Sequence, residues 1–305
     1  MPDSFGNVTA EYLALRRECG LVSGRWEVVW VEGPDAVSFL QGLVSADVEE
    51  LSEWGVCRSF LLTPRGMVRF SLWVLKEGDR LGLVCGRGEG AELSETLGYY
   101  RIRIKAKVRL DPRPVSALVG PTVPWTETLE QGGWEPKGEE FRASAPLAGT
   151  PRVFFTGEAP RGIKPVGELA WRAVRVESGE PEVARDLDDR TIPQETGELA
   201  DAAISFDKGC YLGQELAARI DSRGRVNRTL RGLEVRTNLL PPEGADVWSE
   251  RKVGKITSVA ESLELMAPVG LSLIRRGADP GDEVRIRWQG GEAPARVRAL
   301  PLVDA

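Results

Sequence analysis

The apolar positions of this chain change period several times, and each change marks an element. Residues 26–31 (WEVVWV) form a short apolar run that predicts a strand. Gly33-Pro34-Asp35 follows as a helix start, with Val37, Leu40, Leu43 and Val44 as its apolar stripe. Residues 56–62 and 66–75 read as a hairpin across Thr63-Pro64-Arg65-Gly66, and 81–85 as a third strand. Residues 91–97 carry a helical pattern. In 100–109 (YRIRIKAKVR), Ile102, Ile104, Ala106 and Val108 alternate with Arg101, Arg103, Lys105, Lys107 and Arg109, which predicts a strand with one core face and one basic face. The basic face fits a solvated surface or an attraction for an anion, such as a polyglutamyl tail or an RNA backbone.

From residue 111 to about 165 the chain is rich in Pro and Gly, with short strand signals at 117–120 and 152–156. Residues 165–178 (PVGELAWRAVRVES) predict an amphipathic helix with Val166, Leu169, Ala170, Ala173 and Val176 on one stripe. Trp171 falls off that stripe, which sends it to a neighbouring domain or to a ligand. After residue 230 the texture changes. Short strands at 230–235, 252–259, 270–274, 283–288 and 295–300, punctuated by turns, predict a small all-β barrel.

Composition narrows the chemistry. The 305 residues are 42% apolar and 28% charged, enough for two or three packed domains. No stretch reaches the ~20 apolar residues of a membrane span, and the N-terminus is too polar for a signal peptide, so the expected address is cytoplasmic. A net charge of −6 argues against general, stable nucleic-acid binding. The chain has no histidine, which excludes Ser–His–Asp and Cys–His catalysis and His-ligated metals. Its four cysteines, Cys19, Cys57, Cys85 and Cys210, form no C-x-x-C pair, so no metal or resident cluster is expected.

The most informative stretch runs from Ile204 to Arg231. Residues 204–206 look like a short strand. A loop, Asp207 to Gly213, leads into a helix with Leu212, Leu216 and Ile220 on one face. Cys210 lies between Gly209 and Gly213, ahead of a helix N-terminus and two residues from Lys208. That setting favours a thiolate and predicts an accessible, reactive Cys210, with Lys208 supplying positive charge. Gln214 and Glu215, in the first helical turn, are positioned to bond loop N–H groups.

The run from Lys208 to Glu215, K-G-C-Y-x-G-Q-E, resembles the signature of the YgfZ family, the folate-binding branch related to the aminomethyltransferase (T-protein) of the glycine cleavage system. The resemblance extends over residues 33–48, Pro193-Gln194-Glu195 and residues 253–258, and covers roughly 26–276. It implies an α+β, T-protein-like multidomain ring. Residues 1–228 would form a ferredoxin-like N-terminal portion with a loop-rich middle at about 115–165, and 229–305 a C-terminal β-barrel. It implies a reduced folate, tetrahydrofolate or a derivative, bound at Trp26 and Trp171. Tyr211, Gln214, Glu195, Arg219 and Arg223 are further candidates for that ligand and its anionic tail. It implies that Cys210, with Lys208, serves the assembly or repair of iron–sulfur enzymes, including those that thiolate tRNA, so that client proteins and assembly machinery are partners. Two alternatives remain: tetrahydrofolate-dependent aminomethyl transfer, and a non-catalytic folate-binding scaffold. The T-protein carries an aspartate after an asparagine-containing loop. Here Cys85 stands at the asparagine position and Glu92 only approximates the aspartate, which favours the YgfZ branch.

Overall fold

The computed structural model describes residues 1–125, 129, 132–223 and 226–303, with the backbone alone for 220–223. The fold is α+β, built on one long strand. Helix α1 (Val8–Arg17) precedes β1 (Gly20–Glu32), whose thirteen residues serve two sets of partners. The C-terminal half of β1 pairs antiparallel with β4 (Arg80–Gly86), which continues through β3 (Val68–Glu77) to β2 (Val56–Leu62). Its N-terminal half pairs with β6 (Val115–Val119), and a bulge between Val22 and Trp26 interrupts that pairing. From β6 the sheet runs on through β9 (Arg152–Phe155) and β8 (Glu140–Ser144) to β7 (Trp134–Lys137). Short strands β5 (Lys107–Leu110) and β10 (Lys164–Pro165) also pair with β1, giving ten strands in the described sheet. The Pro- and Gly-rich middle therefore continues the same sheet. Helices α2 (Ala36–Gln41) and α3 (Gly90–Tyr100) pack on one face, around Phe39, Leu40, Leu93 and Leu97.

Helix α4 (Glu168–Glu177) lies between the other face and a closed six-stranded barrel. The barrel comprises β11 (Arg228–Val235), β12 (Asp246–Trp248), β13 (Lys252–Ser262), β14 (Ala267–Arg275), β15 (Glu283–Trp288) and β16 (Gly291–Arg298). Sequence periodicity locates all but β12, which has three residues. Because α4 is covered from two sides, it is buried nearly all round, Trp171 included. Leu169, expected on the core stripe, is 46% exposed. One polar cluster latches helix to barrel. Arg175 of α4 pairs with Asp186 at 2.7 Å and donates to Ser258 Oγ at 2.6 Å. Asp186 in turn accepts from Thr257 and Ser258 at 2.7 and 2.6 Å. Every member is satisfied, which is what makes a buried charge tolerable.

Two local expectations are corrected. Residues 100–106 are not a strand; only Lys107–Leu110 pairs, opposite Glu32 to Val29. The antiparallel partner runs out at Glu32. Gly33, at φ +133°, turns the chain away, and a Cβ there would lie 2.5 Å from the Lys105 carbonyl. In that register residues 36–39, which would pair with 100–103, are already committed to α2. Ile102, expected in the core, is 76% exposed, and Arg103 has φ +61°. Residues 204–206 are also not a strand. Ile204 N–H still closes onto the Ala200 carbonyl at the end of α5 (Glu198–Ala203), Ser205 N–H donates to the Ser45 carbonyl, and Phe206 is 43% exposed.

Candidate functional site

A cavity of about 570 Å³ opens beside β1, β3, β4 and α4. Three indoles line it. Trp26 follows the β1 bulge, Trp73 sits on the face of β3 opposite Leu72 and Val74, and Trp171 comes from α4. Trp26 and Trp171 meet edge to face at 5.5 Å and 84°. Trp171 is 2% exposed, and its Nε1–H has no acceptor among the described residues. A buried indole N–H normally finds a partner.

The polar part of the wall is a charge network. Glu180 bonds Arg58 at 2.6 Å and the fully buried Arg152 at 3.4 Å. Arg58 stacks 4.8 Å over Trp73, its partner in the β2–β3 register. Burial works against ionisation of Glu180, but Arg58 and Arg152 outweigh it and hold the carboxyl at about 2. Burial lowers Arg152 to about 10, still charged at neutral pH. Two guanidiniums thus share one carboxylate, leaving a positive excess in a poorly solvated wall. Beyond it, Arg25 pairs with Glu168 and, at 2.7 Å, with Glu182.

Glu89 completes the lining at the β4–α3 loop, where its Oε2 accepts from Gly86 N–H at 2.9 Å. Burial, with help from Glu92, Glu182 and Glu27, pushes its carboxyl up. Glu92 itself pairs with Arg69 at 3.0 Å on the surface, outside the cavity. Cys85 does line the cavity, buried, and burial raises its thiol.

The motif loop lies elsewhere. Helix α6 (Gln214–Arg223) starts two residues later than Leu212, after Gly213 at φ +78°. A Cβ on Gly213 would meet the Thr63 carbonyl at 2.5 Å, so the loop is pressed onto the β2–β3 hairpin. Leu212 N–H donates to the Gly42 carbonyl, tying the same loop to α2. We expect Gly213→Ala to cost about 1–3 kcal/mol, read as a lower urea midpoint; an unchanged midpoint would mean the loop is not held this way.

Cys210 is exposed, as expected, and is not among the cavity-lining residues. Lys208 is corrected. Its ammonium is buried and donates to the Val44 and Ala46 carbonyls at 2.9 and 2.7 Å, with the Tyr211 ring 5.3 Å away. Burial lowers it to about 8. Lys208 therefore holds the segment after α2 against the motif loop, and its charge is directed inward, toward those carbonyls. Gln214 caps the loop, its Oε1 accepting from Tyr211 N–H at 3.1 Å.

Comparisons with known proteins agree with this architecture. Residues 228–304 match the model of the glycine cleavage T-protein C-terminal barrel domain. The tRNA-modifying protein YgfZ of Cronobacter sakazakii is 25% identical over 303 residues, covering 90% of each chain. The aminomethyltransferase of Caldanaerobacter subterraneus subsp. tengcongensis is 26% identical, over 94% of this chain and 85% of that one. The crystal structure of glycine cleavage system aminomethyltransferase T from Bartonella henselae superposes with a TM-score of 0.88 at 22% identity, covering 98% of this chain and 90% of that one. The chain is thus similar both to YgfZ proteins and to aminomethyltransferases, and it shares the fold of the latter.

The nine expected site residues divide. Trp26 and Trp171 come together in the cavity. Tyr211 does not; it packs with Phe60, Leu62 and Val68. Glu195 is also elsewhere, its Oε1 bonded to Arg228 at 2.8 Å and its Oε2 accepting from Ile192 N–H. Gln214 and the exposed Arg219 are not among the lining residues, and the side chain of Arg223 lies outside the described residues. Arg58, Trp73, Glu89, Arg152 and Glu180 were missed. The signals were faint: an indole on the polar face of β3, and an arginine heading the otherwise apolar strand RVFF.

Proposed function

We propose that this protein binds a reduced folate in the Trp26–Trp171 cavity and acts as an accessory factor in the assembly or repair of iron–sulfur enzymes, including tRNA-modifying ones. The observation that carries the first part is the buried Trp171 N–H without an acceptor, beside a second indole, in a cavity of about 570 Å³. A pterin is flat and rich in acceptors, and edge-on indoles form a suitable wall for it. Glu89, its carboxyl raised by burial, lines the same space. The positive excess at Arg58 and Arg152 suits the carboxylates of a glutamate tail. When bound, the folate would carry one-carbon units; the chain's own residues bind, orient and partly dehydrate it.

The second part rests on Cys210. Its exposure away from the cavity supports a thiol that meets a partner at the surface, where it offers sulfur to iron carried by that partner. Gly209, with nothing within 4 Å of its Cβ position, leaves room for such an approach. In cells lacking this activity, Cys210→Ser should leave folate binding intact while iron–sulfur enzyme activities stay near the deficient level. Full restoration by the serine variant would remove the thiol from the mechanism.

Aminomethyl transfer is a second reading, and Glu89 favours it, because a cavity-lining carboxyl pushed up by burial suits acid–base work. Under that reading Glu89→Gln abolishes methylenetetrahydrofolate formation from an aminomethyl donor, and Cys210→Ser does not.

A further inference from the structure

We propose that the chain carries a second ligand site, a cavity of about 670 Å³ beyond Trp73, and that it takes a small monoanion with an apolar body, of the arylalkyl carboxylate class. The site shares the Arg58–Trp73–Glu180 wall with the first cavity, but it does not rest on the folate reading. Its size falls within the about 300–1,000 Å³ typical of small-molecule sites. Distant parts of the chain meet there, among them β2, the turn at Pro146–Ala148, the segment around α5, β11 and the residues after β16. Neither Trp26, Trp171 nor any residue of the 207–215 loop lines it.

The lining specifies the ligand class. Val56, Leu147, Leu199, Leu230 and Leu300 make apolar walls. The wall shared with the first cavity holds Arg58, Trp73 and Glu180. Since Glu180 is shared between Arg58 and Arg152, Arg58, the one of the two that lines this cavity, is incompletely neutralised on this side. Arg231 also lines the space and makes no ion pair among the described residues. Glu198, lining the cavity from an exposed position, repels a second negative charge and so favours a monoanion over a phosphate ester. Cys57, half-buried in the wall, is a built-in reporter of occupancy.

The test uses the full chain and 4-phenylbutyrate, with neutral 4-phenylbutyramide as control, followed by calorimetry. The expected result is saturable binding of the carboxylate, with the amide weaker by about tenfold or more, the usual size of a lost charge-assisted bond. Ala148→Trp and Ala202→Trp, both at exposed positions on the cavity wall, fill it from two sides and should each weaken binding by about tenfold or more without changing the folate titration. If neither variant folds, protection of Cys57 from alkylation by the carboxylate and not the amide decides the matter in the natural chain. The proposal is overturned by absence of saturation at about 10 mM, by equal affinity for the amide, by undiminished binding in both filled variants, or by complete displacement with tetrahydrofolate.

Discussion

Replacing Glu180 with alanine will destabilise the folded chain by about 3–5 kcal/mol, the usual cost of stranding a buried charge. The carboxylate neutralises Arg58 at 2.6 Å and Arg152 at 3.4 Å. Arg152 has no exposed side-chain surface and a single further acceptor, the Ala145 carbonyl at 2.6 Å. Without Glu180 two guanidiniums face each other beside three aromatic rings, Trp26, Trp73 and Phe154. The same residue sets an acid limit. Its carboxyl titrates at about 2 in the folded chain against 4.5 ordinarily, so the unfolded chain takes up the proton first. Its contribution is complete above pH 4.5 and is lost as pH falls toward 2. Urea midpoints of the natural chain and Glu180→Gln, compared across that window, should show a shallower acid decline in the variant. Equal slopes and an unshifted midpoint at pH 7 would mean the network does not bear on stability.

Much of this fold is legible in the alternation of apolar residues. Strand β2 has the bounds its pattern predicts, and β3, β4, β11 and β15 differ by a few residues at most. What fails is informative. The run from Arg101 to Arg109 alternates as well as any strand, yet a strand needs a partner, and β1 ends at Glu32. Periodicity describes one chain segment; pairing belongs to two. Helix α4 fails in the opposite sense. Its single predicted stripe is incomplete because the barrel covers its other side, as the Arg175–Asp186–Ser258 latch requires.

The candidate site is legible where a single residue stands out and hidden where a pair does. Cys210 between two glycines and the indole at Trp171 can be singled out from the sequence. Arg58 and Glu180 stand 122 positions apart, and neither is unusual until the fold brings them together. Lys208 illustrates a third case. The sequence places its charge next to a thiol, whereas burial turns the ammonium toward two backbone carbonyls.

The second large effect is on folate affinity. Trp26 is half-buried and presents its ring to the cavity, so Trp26→Ala removes a wall at modest cost to the core. Stacking of a flat heterocycle on an aromatic ring contributes about 1–3 kcal/mol, which predicts affinity weaker by about 10- to 100-fold. Trp171→Phe retains the packing but deletes the unsatisfied N–H, and should weaken binding by about tenfold. The decisive measurement is a titration with tetrahydrofolate and 5-formyltetrahydrofolate, followed by tryptophan fluorescence in the natural chain and both variants, with circular dichroism confirming the fold. Saturable quenching that weakens in both folded variants is the result this account predicts. No saturation at millimolar folate, or equal affinity in all three chains, would contradict it.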